Sequence, residues 1–179
     1  MGLRTWRRQL KGNTEYELAR RYLRCVFALR DSISGLRAPF VSSGEMSVAV
    51  SKQEIKTEQL SPTEATRVAH ASALQERWNK VIDAHSDFAV ERLEAEALWG
   101  DLVRGLDIPL EACVREIGAD LWLLLWYDDQ APPYTASERG DRVEIRKKFF
   151  YHGDEDQFSK ELSGAIKQVE AFMRPRLRV

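Results

Sequence analysis

Histidine, cysteine and acidic side chains could do chemistry in this chain, but their spacing matches no familiar catalytic or metal site. The histidines are His70, His85 and His152, and the cysteines are Cys25 and Cys113. The spacings that gather metal ligands, His-Glu-x-x-His, Cys-x-x-Cys and Glu-x-x-His, do not occur. Glycine-rich phosphate loops and the Gly-x-Ser-x-Gly nucleophile turn are also missing. The sequence therefore predicts no metal or cofactor and favours a non-enzymatic role over an enzymatic one.

One arginine and one histidine near the end of the chain have a spacing known from helical ribonucleases. Arg146 precedes His152 with five residues between them, just ahead of the last predicted helix. This stretch resembles the motif of the HEPN ribonucleases, which are helical bundles. The resemblance implies that Arg146 holds a phosphate and that His152 serves RNA cleavage. That family usually has Asn, Asp or His after the arginine, where this chain has Lys147. The alternative is a basic, aromatic segment that lies on the surface.

Two polar residues fall on the apolar seam of the longest predicted helix. His85, which is flanked by Asp83 and Asp87, is expected to be buried and hydrogen-bonded, so that it fixes the register of the helices. A pH-sensitive element is the alternative. Arg92 lies two seam positions further on and requires a carboxylate from another helix, because a buried unpaired charge costs several kcal/mol.

Apolar residues at helical spacing predict the elements that position these side chains. The predicted helices cover about residues 15–37, 61–105 and 108–127, and a last one starts near residue 154 or 156. Ser61, Pro62 and Glu64 form a capping box before the second helix, whose seam alternates in coiled-coil steps of four and three. Gly100 could interrupt this helix. The predicted fold is all-α, an antiparallel bundle of about four helices with a long helical hairpin.

We expect residues 1–179 to form a single helical domain. With 44% hydrophobic and 31% charged residues, the chain can bury the hydrophobic core that a single domain of this length needs. Three stretches lie outside the predicted helices, namely a basic N-terminal segment 1–14, a long connection 38–60 and a linker 129–153. Alternating apolar residues in segments 46–50 and 142–152 permit one small two-stranded ribbon, although such a pair is weak alone.

Charge is balanced over the whole chain but not along it. The net charge of -1 argues against a dedicated nucleic-acid binder, so we expect no nucleic-acid partner. Residues 1–37 hold nine basic and three acidic residues, whereas residues 83–101 hold six acidic residues and one arginine. The simplest interpretation is a basic helix beside an acidic one. The alternative is a basic surface for the phosphates of a lipid or a nucleic acid.

The basic N-terminus bears on the location of the protein. Arg4, Arg7, Arg8 and Lys11 are followed by no apolar run, so this segment is not a signal peptide. The longest apolar stretch, residues 121–127, is far shorter than a membrane-spanning helix. We therefore expect a soluble, cytoplasmic protein whose two cysteines are buried free thiols. Association with an anionic membrane surface through the four basic residues is a further hypothesis.

Several segments resemble a widespread set of uncharacterised bacterial helical proteins, some of which carry an N-terminal membrane span. The similar segments are WRRQLKG from Trp6 onward, Ala38-Pro39-Phe40, EAEALWG at residues 94–100, and residues 173–177. The resemblance implies that this chain corresponds to their cytosolic part, with residues 4–11 at the membrane surface. Because no activity is established for the set, the resemblance implies no catalytic residue.

These observations favour an interaction or scaffold protein whose partner is another protein or a second copy of the chain. The longest predicted helix is too long for the first helix to cover, and this leaves helix surface for a homodimer or another partner. The aromatic candidates for such a contact are Trp78, Trp99, Trp122 and Trp126. Packing in the core is the alternative for each of them.

Overall fold

All regular secondary structure in the described part of the chain is helical, as predicted. The computed structural model describes residues 2–129, 135–151, 153 and 156–177, with the backbone alone for residues 2–11, 128, 129, 136 and 138. The helices are α1 (Gly2–Leu36), α2 (Ser43–Lys52), α3 (Pro62–Trp99), α4 (Asp101–Asp129), α5 (Ala136–Phe149) and α6 (Gln157–Met173), followed by a 3-10 turn at Arg174–Leu177. No described helix is both long and apolar enough to cross a membrane.

Helix α3 begins with the predicted capping box. The backbone N–H of Glu64 donates to Ser61 Oγ at 3.3 Å, and the backbone N–H of Ser61 donates to Glu64 Oε2 at 3.0 Å. The hydrogen bonds from Ser61 also lower the pKa of the Glu64 carboxyl. A similar cap starts α2, where Ser42 Oγ accepts from the backbone N–H of Glu45 at 3.2 Å. Both caps satisfy N–H groups that a helix leaves unpaired at its start.

The long predicted helix 61–105 is divided at Gly100. This glycine has a φ of +69°, in the left-handed region that residues with a side chain seldom adopt, so α3 ends before it and α4 begins after it. Helix α4 then continues without a break through residues 105–108, where the sequence predicted a boundary ahead of Pro109. That boundary was wrong because a proline removes one helical hydrogen bond without always ending the helix.

The predicted two-stranded ribbon is wrong for the described residues. Helix α2 covers segment 46–50, and α5 covers segment 142–152 as far as Phe149. Residues Met46 and Val50 alternate like a strand, but they also lie one turn apart on a helix, and the Ser42 cap favours the helix. Thus α2 lies inside the predicted connection 38–60, α5 lies inside the predicted linker 129–153, and α1 covers residues 2–14 of the predicted basic segment.

The chain divides into two compact units, each built from separate stretches of sequence. Unit 1 comprises Met1–Asp31, Ile82–Cys113 and Gln157–Val179, and unit 2 comprises Ser32–Val81 and Val114–Asp156. The divisions therefore fall inside α1, α3 and α4.

Unit 1 has a core of aliphatic and aromatic side chains from four helices. Its buried residues include Leu18, Tyr22, Val26, Leu29, Phe88, Val103, Leu110, Ile166, Val169 and Met173. Cys25 and Cys113 are buried thiols that form no disulfide, as predicted, and burial raises the pKa of the Cys25 thiol. The apolar residues of α6 reach this core because they recur every three or four positions and so lie on one face of the helix.

Unit 2 surrounds two buried arginines with oxygen acceptors. Arg37 is 3% exposed, donates from Nε to the carbonyl of Phe149 at 2.8 Å, and pairs with Asp156 at 2.6 Å. Arg77 makes a two-pronged pair with Glu45, at 2.6 and 2.9 Å, and donates to the carbonyl of Ala38 at 2.8 Å. These charged bonds hold the segment after α1 in place, and the pair with Arg77 lowers the pKa of the Glu45 carboxyl.

Candidate functional site

Unit 2 contains a cleft of about 640 Å³ between three of its helices. We call it the basic cleft. It is lined by Met46 of α2, by Pro62, Thr63, Thr66, Arg67, His70 and Ala71 of α3, and by Arg142 and Arg146 of α5. The α3 residues follow steps of three and four, and the two α5 arginines are four apart, so each helix presents one face to the cleft.

Contacts with α4 hold α5 beside the cleft. Arg142 Nη1 donates to the carbonyl of Tyr127 at 2.6 Å. At the other end of α5, Lys148 Nζ donates to Asp120 at 3.0 Å and lies 3.2 Å from Glu116. The hydrogen bond to Asp120 is the main reason that the pKa of Lys148 is raised. Between these two attachments, the Arg146 guanidinium lies 5.7 Å from the ring centre of Phe150.

The lining of the basic cleft is strongly biased in charge. Three arginines and one histidine are among its nine described lining residues, and none of those nine is acidic. The nearby carboxylate of Glu64 accepts hydrogen bonds from the backbone and hydroxyl of Ser61. Guanidinium groups match the oxygens of phosphates and carboxylates in charge and geometry, so this arrangement is suited to binding an anion.

The cleft contains one member of the predicted Arg146–His152 pair. Arg146 lines it, whereas His152 lies outside the described residues, so RNA cleavage by this pair stays a prediction. The histidine that shares the cleft with Arg146 is His70 of α3, which the sequence analysis did not connect with it. The only sequence pattern that marks the site is the helical spacing of Arg67 with His70 and of Arg142 with Arg146. That pattern has meaning only once α5 is known to be a helix.

Two of the four candidate tryptophans pack inside their units. In unit 2, Trp78 covers Gly118 so closely that a Cβ at residue 118 would lie 2.8 Å from the indole. In unit 1, the indole of Trp99 meets the Phe172 ring edge-on at 5.9 Å, and the Arg176 guanidinium lies 5.0 Å from its centre. Packing is therefore the role of both side chains in the structure.

The other two candidate tryptophans are exposed on adjacent turns of α4. Trp122 is 64% exposed and Trp126 is 49% exposed. They lie on the opposite side of the helix from the buried residues Ile117 and Leu124. The Trp126 ring meets the ring of its chain neighbour Tyr127 edge-on at 4.9 Å. Large aromatic surface that a core does not use is a common mark of an interface.

Unit 1 holds a separate polar cluster along the predicted seam. Glu111 of α4 accepts from Arg92 Nη1 at 2.6 Å and lies 2.9 Å from His85 Nε2. The carboxylate that Arg92 was predicted to need is therefore confirmed, and His85 shares it. Nearby, the buried Tyr22 hydroxyl donates to Oδ1 of Asp107. Burial raises the pKa of Asp107 to about 6 and, together with this hydrogen bond, raises that of Tyr22.

The predicted pairing of basic and acidic helices is confirmed at one residue of α1. Arg21 Nε lies 3.2 Å from Glu91 of α3, and its Nη2 donates to Glu94. The hydrogen bond to Glu94 is the largest cause of the raised pKa of Arg21. Arg4, Arg7, Arg8 and Lys11 lie in α1, but their side chains are outside the described set, so membrane binding through them stays a prediction.

Metal-ligating residues do not gather anywhere in the described part of the chain in groups of three or more. The residues that come together instead are the cations of the basic cleft, the exposed tryptophans of α4 and the polar cluster of unit 1. Comparison with protein-family models, with curated proteins and with solved structures finds no match to this chain.

Proposed function

We propose that the chain is a non-enzymatic helical interaction protein and that a second copy of the chain is its partner. The observation that carries the proposal is the exposure of Trp122 and Trp126 on one face of α4. Tryptophan is among the residues that contribute most to binding when a partner buries it. An exposed pair one turn apart therefore offers a compact contact surface.

The spacing of the exposed α4 residues favours a helix as the partner. Arg115, Ala119, Trp122 and Trp126 are all exposed and follow each other in steps of four, three and four. We call these four residues the α4 row. Such steps form the seam along which one helix packs against another.

The α4 row is complementary to itself, which supports a second copy as the partner. Its steps are symmetric, so an antiparallel pair of α4 helices centred between Ala119 and Trp122 places these two residues opposite each other. The small side chain then leaves room for the large one. The same pairing places Arg115 opposite Trp126, where the guanidinium can lie over the indole. Two-fold pairing of one patch with itself is also the commonest form of protein oligomer.

The antiparallel bundle with a long hairpin is part of the proposal. Its support comes from unit 1, where Arg104 of α4 lies 3.3 Å from Glu96 of α3, close to Gly100. Further from Gly100, Arg92 pairs with Glu111 at 2.6 Å. Residues pair in this order when two consecutive helices run antiparallel, as α3 and α4 do within unit 1.

Light scattering of the full chain tests the self-association. We expect a mass that approaches twice 20.6 kDa at high micromolar concentration. Trp122→Glu and Trp126→Glu should each give a monomer. A matched control is Val90→Glu, which changes an exposed apolar residue of α3 and should leave the mass unchanged. A wild-type chain that is monomeric at that concentration would overturn the proposal. So would a Val90→Glu variant that becomes monomeric although its α4 row is intact.

A second variant distinguishes specific pairing through the α4 row from non-specific hydrophobic association. Ala119→Trp adds apolar surface, so non-specific association would become stronger. In the proposed pairing it places a large side chain opposite Trp122, and we expect the dimer to weaken. Stronger association of Ala119→Trp would contradict this pairing.

A further inference from the structure

We propose that the basic cleft of unit 2 binds a small organic phosphate. The inference goes beyond self-association, because the cleft is lined by α2, α3 and α5 and includes none of the α4 row. It stands on the charge of the lining, on the size of the cleft and on the placement of its polar and apolar residues.

The positive charge comes from two helices that face the same space. Arg67 is contributed by α3, and Arg142 and Arg146 by α5. Each guanidinium carries several N–H donors, and an anion with several charged oxygens can bridge donors that come from both helices. His70 adds a ring nitrogen one turn after Arg67, and a phosphate can accept a hydrogen bond from it.

Position along α3 also favours a phosphate. Thr63, Thr66 and Arg67 lie in the first two turns of the helix, where the partial charge of the backbone is positive. Thr66 Oγ1 donates to the carbonyl of Pro62 at 2.9 Å, so this hydroxyl is satisfied within the helix and the donors of the site are the arginines and His70. The helix start alone would not make a site, but here it adds to the three arginines that lie on the same cavity.

The remaining wall suits an organic group attached to the phosphate. Met46, Pro62 and Ala71 give the cleft an apolar part beside the cations. A volume of about 640 Å³ is far larger than inorganic phosphate needs and falls within the usual range for small-molecule sites. A phosphate ester with a ring or chain of moderate size fits both halves of the lining.

Calorimetry with the full chain at low salt tests the proposal, with adenosine diphosphate as the probe and adenosine as its uncharged counterpart. We expect the diphosphate to bind and adenosine to give no heat. Arg146→Gln and Arg67→Gln should each weaken binding by about tenfold, as expected for the loss of one charged hydrogen bond. Circular dichroism and the melting temperature of each variant check that it is folded.

Lys147→Gln is the matched control, because Lys147 is an exposed neighbour on α5 that lies outside the cleft and pairs with Glu144 at 3.1 Å. It should change the affinity by less than about twofold, since exposed charges elsewhere add little. Equal weakening by Lys147→Gln would show diffuse attraction and overturn the site. So would a wild-type chain that binds neither adenosine diphosphate nor pyrophosphate at millimolar concentration. Inorganic phosphate binding as tightly as the diphosphate would overturn the organic part of the proposal.

The test is independent of the proposed dimer. Arg146→Gln should leave the mass from light scattering unchanged, and Trp122→Glu should leave the affinity for the diphosphate unchanged. Light scattering can therefore contradict the dimer, and calorimetry can contradict phosphate binding, independently of each other.

Discussion

The hydroxyl of Tyr22 in α1 donates a hydrogen bond to Asp107 of α4 within the buried interior of unit 1. The second carboxylate oxygen of Asp107, Oδ2, is also buried, and no hydrogen-bond partner for it lies among the described residues. One phenol therefore provides the whole hydrogen bonding seen for a carboxyl group that has left water. Burial outweighs this bond, and the pKa of Asp107 rises to about 6.

Asp107→Asn should remove a pH dependence of stability. Because the folded pKa of about 6 exceeds the usual value of 3.8, the folded chain holds its proton longer than the unfolded chain as the pH rises. The free energy of unfolding should therefore fall between about pH 4 and pH 6. Above about pH 6, the folded chain carries the full free-energy cost of the buried charge. Relative to Asp107→Asn, wild type should lose up to about 3 kcal/mol over this window.

Urea titrations at several pH values measure this difference. Asp83→Asn is the control, because Asp83 is exposed on α3 and its replacement should leave the pH profile close to that of wild type. A wild-type chain that gains stability relative to Asp107→Asn as the pH rises would contradict the assignment.

Tyr22→Phe should destabilise unit 1 by about 1–3 kcal/mol, since it leaves a buried acceptor without its donor. The edge-on contact of the ring with Phe88, at 5.4 Å, survives the substitution. The loss is therefore assigned to the hydroxyl. Tyr151→Phe removes a hydroxyl from an exposed tyrosine and should change stability by less than about 0.5 kcal/mol. Equal stability of the two variants in urea would be the contrary result.

Arg37→Leu should destabilise the protein by about 3–5 kcal/mol, because it leaves the buried carboxylate of Asp156 without this partner and strips donors from two carbonyls at the end of α5. Arg30→Leu is the matched control, since Arg30 pairs with its exposed neighbour Asp31 and should contribute little. Chemical unfolding followed by circular dichroism measures both. A loss below 1 kcal/mol for Arg37→Leu, on the order expected of a surface pair, would contradict the buried network.

Two glycines of α4 should respond in opposite directions to replacement by alanine. Gly118→Ala places a Cβ 2.8 Å from the rigid ring of Trp78 and should cost about 1–3 kcal/mol. Gly105→Ala meets nothing within 4 Å and should stabilise the helix by about 0.5–1 kcal/mol. Thermal melting of the two variants gives the comparison. Stabilisation by Gly118→Ala as well would mean that Trp78 does not pack on Gly118.

The proposed non-enzymatic role predicts that the purified chain leaves RNA intact. The experiment uses a labelled single-stranded RNA and the His152→Ala variant, which should be as inactive as wild type. Cleavage by wild type that disappears with His152→Ala, in a variant that stays folded, would replace the proposed function by the ribonuclease hypothesis.

Local patterns predicted several features because they depend on neighbours in the chain. The capping box of Ser61 and Glu64 needs residues three apart, and it starts α3 as expected. The seam predicted that Arg92 requires a carboxylate from another helix, and Glu111 supplies it. The same reasoning named Gly100 as a possible interruption, and the helix is divided there, but it failed near Pro109, because backbone conformation at a proline follows from packing as much as from residue type.

The basic cleft could not be predicted because it depends on α5. This helix is short, polar and attached to α4 through Arg142 and Lys148, so its formation rests on contacts between residues far apart in sequence. When this segment is interpreted as a linker, the spacing of Arg146 and His152 is the only functional pattern that its sequence shows. The exposed tryptophans show the same limit, since no local pattern distinguished the packed Trp78 from the exposed Trp122.

The network of Arg37 also sets an order of events during protein synthesis. The carbonyl of Phe149, its acceptor, lies 112 positions later in the chain. At ordinary translation speeds the ribosome makes that acceptor roughly 6–20 seconds after the arginine. Until then the guanidinium has to stay in water, so unit 2 cannot complete its interior while the chain is still short. If the ribosome stalls between these two points, Arg37 of the nascent chain lacks this acceptor. The incomplete unit 2 would then be accessible to proteases and chaperones.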